Sequence, residues 1–157
     1  MTIKDELNRI ARDLQGTLAS DDDIRILKTG LPAALTPDWL TSILQEFRLA
    51  GASFSLSEEL DKSGLGADML WLRPKQIVEE SCGAEPGKSV QSSGFLPIGA
   101  CAIGSGDYYY LDLRQASGDP PVVRVLHDYA VEQPYPLDKI ESVSSSLSEF
   151  FRDARLS

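Results

Sequence analysis

Residues 95–113 read FLPIGACAIGSGDYYYLDL, and the fold turns on them. Phe95–Ile103 is apolar at successive positions, the pattern of a strand covered on both faces. Gly104-Ser105-Gly106-Asp107 supplies the residue types of a tight turn. Tyr108–Leu113 then returns as a second strand, so the stretch predicts an antiparallel hairpin. Working outward, Met69-Leu70-Trp71-Leu72 predicts a buried strand before the hairpin, and Phe54–Leu56 a short strand within a Ser- and Gly-rich loop over 51–66. After the hairpin, Gln115–Pro121 is a loop and Val122–His127 a third long strand.

Helical patterns flank these strands. Residues 2–19 predict an amphipathic helix, opened by Thr2 and Asp5 as a variant capping box, with Ile3, Leu7, Ile10, Ala11, Leu14 and Leu18 on one face. Asp21-Asp22-Asp23 predicts a solvated loop, because adjacent acids point apart and the spacing of a calcium loop is missing. Residues 36–50 predict a helix capped by Thr36, with Pro37 at its first position, Trp39, Leu40, Ile43, Leu44 and Phe47 as its stripe, and Gly51 at its end. A short helix is expected over Pro74–Glu80. The stretch 81–93, with Gly83, Pro86 and Gly87, is expected to be a flexible loop and not a domain linker, since the strands on either side lack the area to stand alone. Ser146 and Glu149 form a capping box for a closing helix that buries Leu147, Phe150, Phe151 and Ala154. The expectation is one α+β domain spanning 1–157.

The chain has 157 residues, 42% hydrophobic and 25% charged. A domain of that size buries roughly 70% of its unfolded surface and needs no metal or disulfide to fold. That apolar content argues against disorder. There are 24 acidic and 15 basic side chains, a net charge of −9, and residues 79–157 hold 12 acids against 6 bases. Such a field repels phosphate backbones, so nucleic acid and anionic membrane are disfavoured, whereas a basic protein is steered inward. Cys82 and Cys101 have no metal or redox spacing. The opening residues carry acids and no apolar run, so a cytoplasmic location with two free thiols is expected.

Few residues suggest chemistry. Gly104–Asp107 lacks the Lys and Ser/Thr of a phosphate loop. Asp107 and Asp112 fall on opposite faces of a strand, and Asp112 is expected to pair across the sheet with Arg124. His127 is the only histidine and shares a strand face with Val123, Val125 and Tyr129, the setting of a structural imidazole. A dyad with Cys82 or Cys101 would make a hydrolase, the weaker alternative. All five tyrosines fall within 108–135, among acids and with only Arg114 and Arg124 as bases. Tyrosine beside acids suits a binding surface. Parity places Tyr109 in the core with Leu111 and Leu113, and Tyr108 and Tyr110 on the other face with Asp112. The candidate contact set is therefore Tyr108, Tyr110, Asp112, Asp128 and Glu132.

The hairpin resembles that of the SUKH superfamily: Phe95-Leu96-Pro97-Ile98-Gly99, a Gly106-Asp107 turn, and Tyr108–Leu113 with Asp112 near its end. Leu31-Pro32 before the Trp39 helix, Leu70-Trp71-Leu72, Val122–Asp128 and the closing Ser144–Phe151 segment are similar in order to the family's other parts. The chain departs from the pattern at Ala100–Ile103 and in the stretch 81–93. The resemblance implies a curved, mainly antiparallel sheet with flanking helices, no cofactor and no catalytic set. It implies protein binding, as in immunity proteins that neutralise toxins of bacterial contact-dependent systems, often nucleases, or in regulators of fungal cell-wall synthesis. A regulatory or scaffolding module unrelated to toxins is the alternative.

Overall fold

The computed structural model describes residues 2–157. Its strands are β1 (Ser53–Leu56), β2 (Ala67–Trp71), β3 (Phe95–Cys101), β4 (Tyr108–Asp112), β5 (Val122–Val125), β6 (Glu141–Ser144) and β7 (Arg155–Leu156). They form one curled antiparallel sheet in the order β6-β5-β4-β3-β2-β1-β7. The helices are α1 (Ile3–Ile10), α2 (Asp21–Gly30), α3 (Asp38–Glu46), α4 (Pro74–Gly83), α5 (Gly87–Gln91) and α6 (Leu147–Asp153). The α+β class and the curled antiparallel sheet are as expected, and the 95–113 hairpin is β3 paired with β4. At Pro97–Gly99 the pairing shifts by a bulge, which accommodates a proline that has no N–H to donate. Gly99 is required at that point, because a Cβ there would collide with the Met69 side chain.

Two cores divide the sheet's faces. On one face, Phe54, Met69, Trp71, Ile98, Tyr109 and Leu111 join residues of α1, α3 and α6 in the main core. Phe54, Trp71, Phe150 and Phe151 form an aromatic cluster with ring centres 5.6 to 6.2 Å apart. Each such ring stabilises the fold by about 1.5–3 kcal/mol through burial. On the other face, a smaller core of Phe95, Tyr110, Val123 and Val125 lies beneath Val90 and Tyr135. This second layer covers β3–β5 only. Over β1 and β2 the same face is lined by half-buried Ser53, Ser55 and Asp68 and by exposed Leu70.

Several elements depart from the expectation, each for a local reason. The first helix stops at Ile10, and after a 3-10 turn the chain runs extended, because Gly16 and Thr17 hydrogen-bond to the carbonyls of Arg48 and Ala50. A Cβ at Gly16 would strike those carbonyls. Asp21-Asp22-Asp23 is not a loop but the first turn of α2. Ser20 Oγ accepts from the Asp23 amide at 3.1 Å, Asp23 accepts from the Ser20 amide at 2.9 Å, and the acids favour the positive helix end. In α3 the N-cap is Pro37, not Thr36, and the helix ends at Glu46, five residues before Gly51, with Phe47 as its C-cap. The stretch 81–93 is mostly helical: α4 runs to Gly83, and α5 buries Val90 completely. The third long strand ends at Val125, and His127 belongs to a 3-10 turn. For the closing helix, Ser146 caps as expected, while Glu149 reaches the amide of Ser145.

Arg124 does not pair with Asp112. Arg124 stands opposite Tyr109 on the main-core face and is itself buried, as is Asp61 of the β1–β2 loop. Its guanidinium donates to Asp61 (3.3 Å), Glu141 (3.1 Å), Ser63 Oγ (3.0 Å) and the Gly66 carbonyl (2.8 Å). It also lies 5.2 Å from the Tyr109 ring centre. Asp61 additionally accepts from the amide and hydroxyl of Ser63. Beside it the Lys62 amide donates to the Val143 carbonyl of β6 at 3.0 Å. Thus the loop from one side of the sheet is fastened to strands on the other. Replacing one partner leaves a buried charge unpaired, so Arg124→Met is expected to cost about 3–5 kcal/mol in urea unfolding, and Arg124→Met with Asp61→Leu to recover most of it. A single variant as stable as the parent would show that the ion pair fastens nothing.

Candidate functional site

The candidate site lies at the end of the sheet where β3 turns into β4 and β5 runs into residues 126–138. Asp107 closes the β3–β4 turn. Its Oδ1 accepts from both the His127 backbone amide (2.9 Å) and His127 Nδ1 (2.6 Å). On the other side of the ring, Nε2 lies 3.3 Å from Asp128 Oδ1. Gly106 lies against this ring; its positive φ suits glycine, and a Cβ there would come within 3.3 Å of the imidazole. The 126–138 segment is anchored by Tyr135, which is buried in the smaller core and donates to the Leu126 carbonyl at 2.6 Å. Gln133 reaches across to α5, donating to Ser89 Oγ (2.7 Å) and Glu85 (3.3 Å). The surface so assembled presents Asp107, Asp128, Glu132, Glu85 and Glu80, with half-buried Tyr108 and Tyr129. Ile103 and Val131 are 76% and 89% exposed on the two loops.

The charges of this end reinforce one another. Hydrogen bonding and attraction to Asp107, with Asp128 adding, raise the His127 pKa above its ordinary value. Burial raises the Glu80 carboxyl. Burial, and then the Glu80 charge, raise the Tyr108 phenol.

The expected contact set divides. Tyr108, Asp128 and Glu132 belong to this surface. Tyr110 does not: it is fully buried in the smaller core, because α5 and the 126–138 segment cover the face to which strand parity assigns it. Asp112 lies at the opposite end of β4, beside Arg114. Burial raises its carboxyl, but Arg114's guanidinium at 2.8 Å and backbone amide outweigh this and hold it below the usual carboxylate range. What strand-by-strand reading missed is the Asp107–His127 pair. The β4–β5 register places Tyr108 opposite Val125, which brings Asp107 beside residues 126 and 127. Glu85 falls in the stretch expected to be a loop and Glu80 at the end of the expected short helix, and neither expectation brings them beside residues 108 and 133.

Neither thiol is placed as a partner of His127 by a hydrogen bond. Cys82 meets the Gly30 carbonyl and Gln91, while Cys101 is half-buried at the end of β3. Burial raises the Cys101 thiol, but the Ser105 hydroxyl and the amides of the 103–105 turn outweigh it and lower the pKa. Both cysteines are free, as expected. Among the described residues no group of three metal-ligating side chains converges, and no helix is long and apolar enough to cross a membrane. A second surface feature lies at the far end of the sheet: two adjoining clefts of about 530 and 620 Å³, on either side of half-buried Trp39 and the 117–118 loop.

No family model, curated protein or solved structure matches the chain.

Two measurements test this geometry. The Tyr110 hydroxyl is buried without a hydrogen-bond partner, so Tyr110→Phe is expected to be neutral or stabilising, by up to about 1 kcal/mol in urea unfolding. Because the His127 pKa is raised by folding, its contribution is fully present below the unfolded value near 6.5 and is lost as pH rises through the higher folded value. The stability difference between the parent and His127→Gln is therefore expected to be larger at about pH 5.5 than at about pH 9. A difference independent of pH would contradict the pairing.

Proposed function

We propose that this chain is a non-enzymatic protein-binding domain and, most concretely, a cytoplasmic immunity protein that occludes the basic cleft of a bacterial toxin domain such as a nuclease. The observation that carries the reading is the charge of the end just described. Residues 89–113 and 125–138 contain no lysine or arginine, and the segments meet there with Glu80 and Glu85 of the α4–α5 elbow. The bases that flank these stretches are Lys88, Arg114, Arg124 and Lys139: Arg114 pairs with Asp112 at the other end of β4, Arg124 is buried against Asp61, and Lys139 is held over the Tyr129 ring at 5.7 Å. A contiguous acidic face repels phosphate and attracts a basic protein, with rate and specificity gained from complementarity. Tyr108, Tyr129, Ile103 and Val131 add the contact area that charge alone lacks. The resemblance of residues 95–113 to the SUKH hairpin points the same way. Occlusion requires no group to make or break a bond, so the reading calls on no cofactor.

A second reading, a regulatory or scaffolding module for a cellular protein unrelated to toxins, is favoured by the apolar clefts beside Trp39, which Ile3, Ile43, Pro37, Leu113 and Pro120 help to line. A partner docking there would bind largely independently of salt.

The two are separated by coexpressing the chain with the protein encoded by the adjoining reading frame. The immunity reading expects relief of that protein's toxicity. It also expects a complex that weakens as salt rises and loses about tenfold in affinity when Asp128 and Glu132 are both changed to Lys. A non-toxic neighbour that forms no complex at low salt would overturn it.

A further inference from the structure

Asp107, His127 and Asp128 do more than contribute charge to the acidic face. The imidazole lies between two carboxylates, with Nδ1 at 2.6 Å from Asp107 and Nε2 at 3.3 Å from Asp128. A neutral imidazole keeps one N–H, enough for the Asp107 contact, and carries no charge to attract Asp128. The imidazolium donates from Nδ1 to Asp107 and attracts Asp128 across 3.3 Å, a charge contact without hydrogen-bond geometry. In that state it does what a partner's arginine or lysine would do on this face: it places a positive charge between Asp107 and Asp128.

We propose that His127 is a built-in competitor for basic partners, a gate that closes the acidic face when protonated and opens it when neutral. This rests on the acidic end being the docking surface. The groups that face the ring from each element around it are few. The β3–β4 turn contributes Asp107, whose amide is held by Ser105 Oγ at 3.3 Å, and the backbone of Gly106. The 126–138 segment contributes Asp128 and, further along, Glu132, Tyr135 and Lys139. The Tyr135 hydroxyl is engaged by the Leu126 carbonyl, and Lys139 lies over Tyr129. His127 is the only histidine in the chain. Its deprotonation adds one full unit of negative charge to the face and frees Asp128, which is otherwise exposed to solvent. Asp107 stays anchored in both states by the His127 backbone amide at 2.9 Å. The gate therefore changes charge without dismantling the loop. Linkage makes the effect reciprocal: a bound cation lowers the His127 pKa by the same factor by which His127 protonation weakens binding.

The test uses the full chain and an octa-arginine peptide at low salt, over about pH 5.5 to 8.5, a range that spans the ordinary histidine value. Affinity is read by calorimetry and the His127 titration by NMR, which needs no assignment because the ring is unique. The gate predicts that affinity rises about fivefold or more across the His127 titration, and that saturating peptide lowers the His127 pKa correspondingly. His127→Gln should bind at the high-pH level throughout. Affinity that is measurable but flat with pH, or an equal pH dependence in His127→Gln, overturns the gate and leaves the docking surface standing. Absence of binding by both proteins at every pH overturns the docking surface and the gate together. The wild-type profile and its reciprocal NMR shift decide the question even if the variant folds poorly.

Discussion

The curl of the sheet depends on one buried cation. Arg124 leaves β5 toward the main core, where an unpaired guanidinium would be untenable, and Asp61 must come to it from the loop between β1 and β2. The loop is thereby drawn across from the far side of the sheet, and Lys62 completes the contact on β6. A slip of β5 by one residue would turn Arg124 to the opposite face and place Val123 or Val125 against Asp61. The pair therefore specifies register as much as it contributes energy. The position at which β5 ends, and hence where Leu126 and His127 emerge beside Asp107, follows from that register.

The second constraint is that the sheet is covered unequally. One face is packed along its length by helices, while the other is covered only over β3–β5, by α5 and the segment after β5. The consecutive tyrosines of β4 record the arrangement. Tyr109 enters the main core and accepts the Asp68 amide at 3.1 Å, Tyr110 fills the smaller core, and Tyr108 sits at the margin where cover gives way to solvent. The acidic end is assembled at that margin. Its groups come from three separate stretches of chain, each held by contacts that lie behind the surface: Tyr135 under the loop, Gln133 against α5, and Asp107 against the His127 amide.

Much of this architecture is legible in the amino-acid order because it is local. The β3–β4 hairpin, the Thr2 capping box and the Phe150–Phe151 helix each declare themselves within a few residues. Helix α2 escaped notice because its first turn is three aspartates, a signal that reads equally as a solvated loop until Ser20 is seen to cap it. Tyr110 shows the limit of parity: alternation tells which face a residue occupies, and not whether another layer covers that face. The site was legible in part. The tyrosine and acid content of 108–135 marks the region, but the Asp107–His127 contact depends on the β4–β5 register, and the placement of Glu85 depends on the elbow between α4 and α5. Asp112 fails as a partner for Arg124 for the same reason, since β5 places Arg124 opposite Tyr109 and Asp112 closes on its neighbour Arg114.

The account reduces to the claim that the chain works by presenting one acidic, tyrosine-bearing end to a basic protein. Backbone hydrogen exchange on the full chain, alone and in its complex with the protein encoded by the adjoining frame, tests this most directly. Docking at the acidic end predicts added protection over 102–110, 126–135 and the α4–α5 elbow, with the remainder unchanged. Protection confined to 33–43 and 113–120, around the Trp39 clefts, would contradict it.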